Sequence, residues 1–226
     1  MKKILSVALL ISSVAVSSFA ASAQSPIWSK LTIDSLEKQG NIDKSISWSG
    51  NFWVGTELNK VYLYSEGEKP KNSSSQSENQ LVVSRAISPY WDIQLGAGYD
   101  KKPGTHQTWG VIGLQGMLPY FIETRATLLA GSRTIGLRLD AEYKALITQK
   151  LYLTPSVSTA FYSKDIPRME LGKGLSNITA NLKLNYDVTK QFTPYLGVQW
   201  SKNYGNTNNF SKLNETYIVG GFRFWF

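Results

Sequence analysis

Apolar and polar residues alternate along most of this chain with a period of two, the signature of strands with one dry and one wet face. The cleanest stretch is 134–145: Ile135, Leu137, Leu139, Ala141 and Tyr143 share one face, Arg138, Asp140, Glu142 and Lys144 the other. In 45–55, Ile46, Trp48, Phe52 and Val54 oppose Ser45, Ser47, Ser49 and Asn51. In 91–100, Trp91, Ile93, Leu95, Ala97 and Tyr99 oppose Asp92, Gln94 and two glycines. Stretches 60–66, 120–130 and 175–187 follow the same rule, with Glu123, Arg125 and Thr127, then Asn177, Thr179, Asn181, Lys183 and Asn185, on their polar faces. The last ten residues set Ile218, Gly220, Phe222, Phe224 and Phe226 against Tyr217, Val219, Gly221, Arg223 and Trp225. No stretch reads as a convincing amphipathic helix.

A soluble sandwich would also alternate, with solvent on the polar side. Strand length and connections favour a membrane instead. Many strands run about 9–12 residues, enough to cross a bilayer at a tilt. Tight turns fall at 57–59, 88–90, 117–120, 148–150 and 190–194, and longer polar loops at 66–79, 100–106, 162–174 and 204–215. Short turns at one end and long loops at the other are the plan of a bacterial outer-membrane barrel. With 30–39 as an irregular first strand and 40–44 as its outer loop, the parity gives twelve strands and both ends in the periplasm; ten is the alternative. The predicted fold is therefore all-β, a transmembrane antiparallel β-barrel filling residues 24–226.

Both termini agree. Lys2 and Lys3, an apolar run from Ile4 to about Val16 and the small-residue site Ala21-Ser22-Ala23 predict a secretory signal peptide over 1–23. Gly221, Phe224 and Phe226 look like the C-terminal assembly signal of outer-membrane proteins, and an apolar terminal strand is safe from aggregation only where it closes a barrel facing lipid. The mean hydropathy is −0.21, as a barrel with a polar lumen requires. Seven Trp and twelve Tyr suit interfacial girdles. Cysteine is absent, which excludes disulfides, thiolate zinc sites and thiol nucleophiles. The net charge of +8 is dispersed rather than clustered, and a secreted chain meets no nucleic acid, so a nucleic-acid partner is excluded. The partner implied by the fold is outer-membrane lipid.

The chemistry sits on the polar strand faces. Asp92, Glu123, Arg125, Arg138, Asp140, Glu142, Lys183 and Arg223 all point inward in this register. They form either a salt-bridge network that plugs a structural or general small-solute barrel, or a charged lining that selects and passes cations. His106 lies in a loop and Met169 in another; Met117 packs in a tight turn. An outer-membrane hydrolase would need a His base beside a Ser nucleophile on a strand, and the single His follows a Pro-Gly turn, so no enzyme is expected.

Several segments in order resemble the copper resistance protein B family of outer-membrane proteins: 84–100 (SRAISPYWDIQLGAGYD), 108–124 (TWGVIGLQGMLPYFIET), 137–155 (LRLDAEYKALITQKLYLTP), 172–177 (GKGLSN), 191–200 (QFTPYLGVQW) and the terminal GFRFWF. The resemblance spans roughly residues 30–226. It implies a barrel that binds copper ions or moves them across the outer membrane in copper tolerance, with a periplasmic copper oxidase as partner. Many members carry a long Met- and His-rich segment before the barrel; here 24–34 reads QSPIWSKLTID. Thioethers suit Cu(I) and imidazoles Cu(II), so without such clusters a multi-ion buffer is excluded. Copper contacts must come from the barrel itself: Asp92, Glu123, Asp140 and Glu142 inside, His106 and Met169 in the loops.

Overall fold

The computed structural model describes residues 26–40, 45–71, 74–132 and 134–226. The expected signal peptide, 1–23, and 41–44 of the first outer loop lie outside them. The strands are β1 (Trp28–Gln39), β2 (Ile46–Gly55), β3 (Asn59–Lys69), β4 (Gln76–Ser88), β5 (Trp91–Lys102), β6 (Thr105–Leu118), β7 (Ile122–Ala130), β8 (Ile135–Tyr143), β9 (Ala145–Leu146), β10 (Leu151–Tyr162), β11 (Gly174–Tyr186), β12 (Phe192–Asn203) and β13 (Asn214–Trp225). The short β9 continues β8, and both pair with β10. The wall thus has twelve antiparallel strands, each beside its neighbour in sequence.

The sheet closes because β1 pairs with both β2 and β13. At the seam Leu31 and Phe226 exchange reciprocal N–H···O=C bonds of 2.9 Å. Closure leaves no edge with unpaired backbone groups, the condition for crossing lipid with strands. Among the described residues no helix is long and apolar enough to cross a membrane.

Alternation sets the two faces as expected. Leu63, Leu81, Leu95, Ile112, Leu196 and Ile218 point outward and are exposed, Leu95 to 65%. Their in-between neighbours turn inward. One side of the interior is packed: Tyr62, Val82, Trp109, Val111, Leu129, Ala160 and Tyr162 form a buried cluster. Aromatics crowd the outer surface at the turn end, where Phe192 stacks on Phe222 and tilts against Phe224; on the opposite face of the last strand Trp225 Nε1 donates to the Lys190 carbonyl.

The strands run further than the sequence pattern indicates. The expected loop 66–79 shrinks because β3 extends to Lys69 and β4 starts at Gln76, and the expected loop 100–106 is a two-residue turn, 103–104. Polar residues such as Glu66, Glu68, Glu78 and Asp100 looked like loop; they are strand residues facing a wet lumen. Loops 163–173 and 204–213 are long as expected, the second carrying a short helix, α1 (Gly205–Phe210).

Candidate functional site

Two chambers open inside the barrel among the described residues. One, of about 580 Å³, lies at the turn end, the other, of about 600 Å³, at the loop end. Glu66 of β3, Asp140 of β8 and Ser158 of β10 line both. Asp140 and Ser158 are direct cross-strand partners.

Acid dominates both linings although the chain is basic. The inner chamber carries Asp34, Glu66, Asp92, Glu123, Asp140 and Glu142 against Arg125 and Arg223. The outer carries Glu66, Glu68, Glu78, Asp100, Asp140, Glu170 and Glu215 against Arg138 and Lys102, with Lys101 at its rim. Alternation causes this sorting: the acids occupy inward positions of their strands, and many lysines occupy turns, loops and outward positions.

Some acids are neutralised locally. Arg138 spans Glu78 Oε2 at 2.6 Å and Asp100 Oδ2 at 2.8 Å, and Trp109 Nε1 donates to the same Asp100 oxygen at 2.8 Å. Arg223 meets Glu142 at 3.2 Å, Lys60 meets Asp92 at 3.6 Å, and Lys183 meets Glu37 at 3.0 Å. Arg125 instead lies over the Tyr64 ring, 3.8 Å from its centroid, and donates to Gln80 Oε1 at 2.7 Å. Asp34, Glu66, Glu123 and Asp140 make no ion pair among the described residues; Asp34 accepts from Asn51 Nδ2 at 2.8 Å.

Two outer loops fold over the outer chamber. Met169, only 2% exposed, lines it with Glu170 and Leu171. Lys102 holds Glu170 at 3.4 Å. Asp165 ties loop 163–173 to α1, accepting from the Lys173 backbone N–H at 2.6 Å and from Asn206 Nδ2. Those bonds hold its carboxyl below the ordinary carboxylate range. Gly172 N–H donates to Thr207 Oγ1 at 2.7 Å, and a Cβ on Gly172 would collide with the backbone of Asn206 and Thr207.

Of the residues singled out from sequence, Asp92, Glu123, Asp140 and Glu142 come together in the inner chamber. Met169 stands in the outer one, apart from them. His106 does not join either: it pairs with Lys101 and stacks on Tyr99, ring centroids 5.7 Å apart, on the outward face. Met117, read as turn packing, lines the inner chamber. No group of three or more His, Cys, Asp or Glu among the described residues could hold a metal ion. Sequence reasoning missed Asp34, Glu66, Glu78 and Asp100. For the last three the signal was present, since each keeps the inward parity of its strand; Asp34 sits beside a register shift in β1 that breaks the alternation.

A closed twelve-stranded antiparallel barrel with an apolar belt and a wet, charged lumen defines a Gram-negative outer-membrane protein. Solved barrels agree on the fold: NanC porin (TM-score 0.58, 12% identity, 86% of this chain and 98% of that one) and the Escherichia coli outer membrane phospholipase A (0.50, 13%, 87% and 92%). KdgM porin in complex with disordered oligogalacturonate is similar too (0.53, 14%, 86% and 98%). The family profile described as copper resistance protein B precursor matches residues 27–226, and this chain belongs to that family. Copper resistance protein B of Escherichia coli is 34% identical over 86% of this chain and 68% of its own length. The homolog from Pseudomonas syringae pv. tomato is 35% identical over 89% and 71%. The family gives the chain a role in copper resistance. By the rule for bacterial barrels, the turn end is periplasmic and the loop end extracellular.

Proposed function

We propose that the barrel serves copper resistance as a conduit, passing copper ions through its acidic lumen with transient contacts rather than storing them. One observation carries this reading: Glu66 and Asp140, neither in an ion pair among the described residues, line both chambers. A cation moving between chambers meets a carboxylate without a direct ion-pair partner on each side, with the Ser158 hydroxyl beside Asp140. Two carboxylates attract a hydrated divalent cation without enclosing it, and oxygen donors suit Cu(II) while binding it less selectively than imidazole would. The thioethers of Met117 and Met169 add one softer donor to each chamber. The same charge disfavours a polyanion such as the oligogalacturonate held by KdgM porin.

We read the chain as a conduit and not an enzyme. His106, the sole histidine, has its ring against Tyr99 on the outward face, and the likeness to outer membrane phospholipase A is one of fold. The rival reading, a barrel plugged by its own salt bridges, draws on the Arg138–Glu78–Asp100 cluster. A periplasmic copper oxidase remains a proposed partner on family grounds.

The test is copper tolerance in a strain lacking this gene. It is complemented with the whole chain or with Glu123, Asp140 and Glu142 neutralised, insertion being checked by heat-modifiable gel migration. The conduit reading expects the inserted variant to fail in restoring the wild-type copper response. Full restoration would assign the lumen charges to structure alone.

A further inference from the structure

Charge is sorted by side of the wall at the extracellular ends of β1 to β5. Glu37, Glu66, Glu68, Glu78 and Asp100 turn inward, to the lumen chambers or, for Glu37, to Lys183. Lys38, Lys69 and Lys101 turn outward, each following an outward residue two positions earlier: Leu36, Gly67 and Tyr99. All three lysines are exposed. They sit on alternate strands, and Lys38 and Lys69 flank Ile46 in one cross-strand row. Strands lie about 4.8 Å apart, so Lys38 and Lys69 stand about 10 Å apart across the wall, and Lys101 follows two strands on, in the next outward row.

One outward position below Lys38 and Lys69, in the cross-strand row that Trp48, Gly67 and Ser77 share with Lys101, the outward face changes from aliphatic to hydrogen-bonded polar. Trp48 Nε1 donates to Ser65 Oγ at 3.4 Å, Ser65 Oγ donates to Asn79 Oδ1 at 2.9 Å, and Asn79 Nδ2 donates to Ser77 Oγ at 3.4 Å. The Trp48 ring reaches over Gly67, where a Cβ would collide with its Cζ2 and Cη2. Leu63 and Leu81, next along the same outward faces, are plainly lipid-facing. The Trp48–Ser65–Asn79–Ser77 row therefore marks the upper limit of the hydrocarbon, and the lysines stand at headgroup height. No described acidic residue of these strand ends faces outward with them.

We propose that this face binds phosphorylated lipid headgroups of the outer leaflet. The three ammonium groups supply the charge for phosphate, and the indole with its polar row supplies a flat, hydrogen-bonding platform for a sugar-based or other polar headgroup. Basic groups at a membrane surface gather anionic lipid, and the attraction weakens with salt. Lys101 also borders the outer chamber, but the inference rests on the outward face and stands whether or not copper passes the lumen.

The test is native mass spectrometry of the full folded barrel in neutral detergent. It is titrated with a bis-phosphorylated glucosamine lipid, the same lipid without phosphates, and inorganic phosphate. The phosphorylated lipid is expected to bind, with occupancy falling as salt rises, and inorganic phosphate is expected not to displace it. K38Q/K69Q/K101Q is expected to weaken binding on the order of 100-fold, by the usual effect of basic residues near anionic lipid. K38R/K69R/K101R, which retains the charge, is expected to bind, as is the periplasmic-end control K150Q/K190Q. Wild-type binding by the folded triple Gln variant, or equal binding of the phosphate-free lipid, would overturn the proposal. Displacement by inorganic phosphate would reduce the face to a free-anion site and overturn the lipid assignment.

Discussion

Glu66 and Asp140 stand five strands apart around a ring of twelve, on β3 and β8, yet both line the two lumen chambers. Two unpaired carboxylates at the junction of two acidic chambers should set what crosses. Reversal potentials in planar bilayers under a salt gradient are expected to show cation preference. E66Q/D140N should shift the potential toward zero. An ion about 4 Å from one charge in water gains about 1 kcal/mol, so each lost carboxylate changes relative cation occupancy about fivefold.

Arg138 has the opposite part, joining Glu78 and the nearly buried Asp100. Removing one partner of a buried pair leaves an uncompensated charge. R138A should therefore cost about 3 kcal/mol in urea unfolding of the micelle-folded barrel. R138K, which can keep one of the two pairs, should lose less. Equal stability of R138A and wild type would show that water in the lumen already screens the pair.

The Asp165 clasp gives a pH dependence whose sign is fixed. Its folded carboxyl titrates below the ordinary value because of the Lys173 N–H, then Asn206. Its stabilising effect is thus complete above the unfolded value, near pH 4, and is lost as pH falls through the lower folded value. Limited proteolysis of loop 163–173 should be unchanged from pH 8 to 5 and faster only once the pH falls below the ordinary carboxylate range. D165N should be cut faster already at pH 7.

Barrel closure rests on backbone pairing at Leu31 and Phe226. L31P removes the N–H that donates to the Phe226 carbonyl and should abolish the heat-modifiable folded band, whereas L31V should keep it. A folded L31P barrel would show that the rest of the β1–β13 ladder closes the sheet unaided.

Much of this was legible in the sequence because alternation is a local signal. In 134–145 the lumen charges Arg138, Asp140 and Glu142 were readable from parity alone, and so was the inward Arg223 of the last strand. What parity could not give was strand ends. Where a strand rises beyond the apolar belt its outward residues become polar too, as at Ser65 and Asn79, and the alternation disappears into what looks like loop. That is why Glu66 and Glu78 were missed. Which charges meet across the lumen was also unreadable: Arg223 and Glu142 are 81 residues apart, and curvature of the closed sheet brings them together. His106 went the other way. A residue expected in a loop is the outward partner of Lys101 on a strand.

The most direct test of the conduit is copper entry into proteoliposomes holding an internal copper indicator, with E66Q/D140N and empty vesicles beside the wild type. The account predicts that wild-type barrel admits copper faster than empty vesicles and that E66Q/D140N, equally folded and inserted, is several-fold slower. Equal rates for wild type and variant, or no entry above empty vesicles, would contradict it.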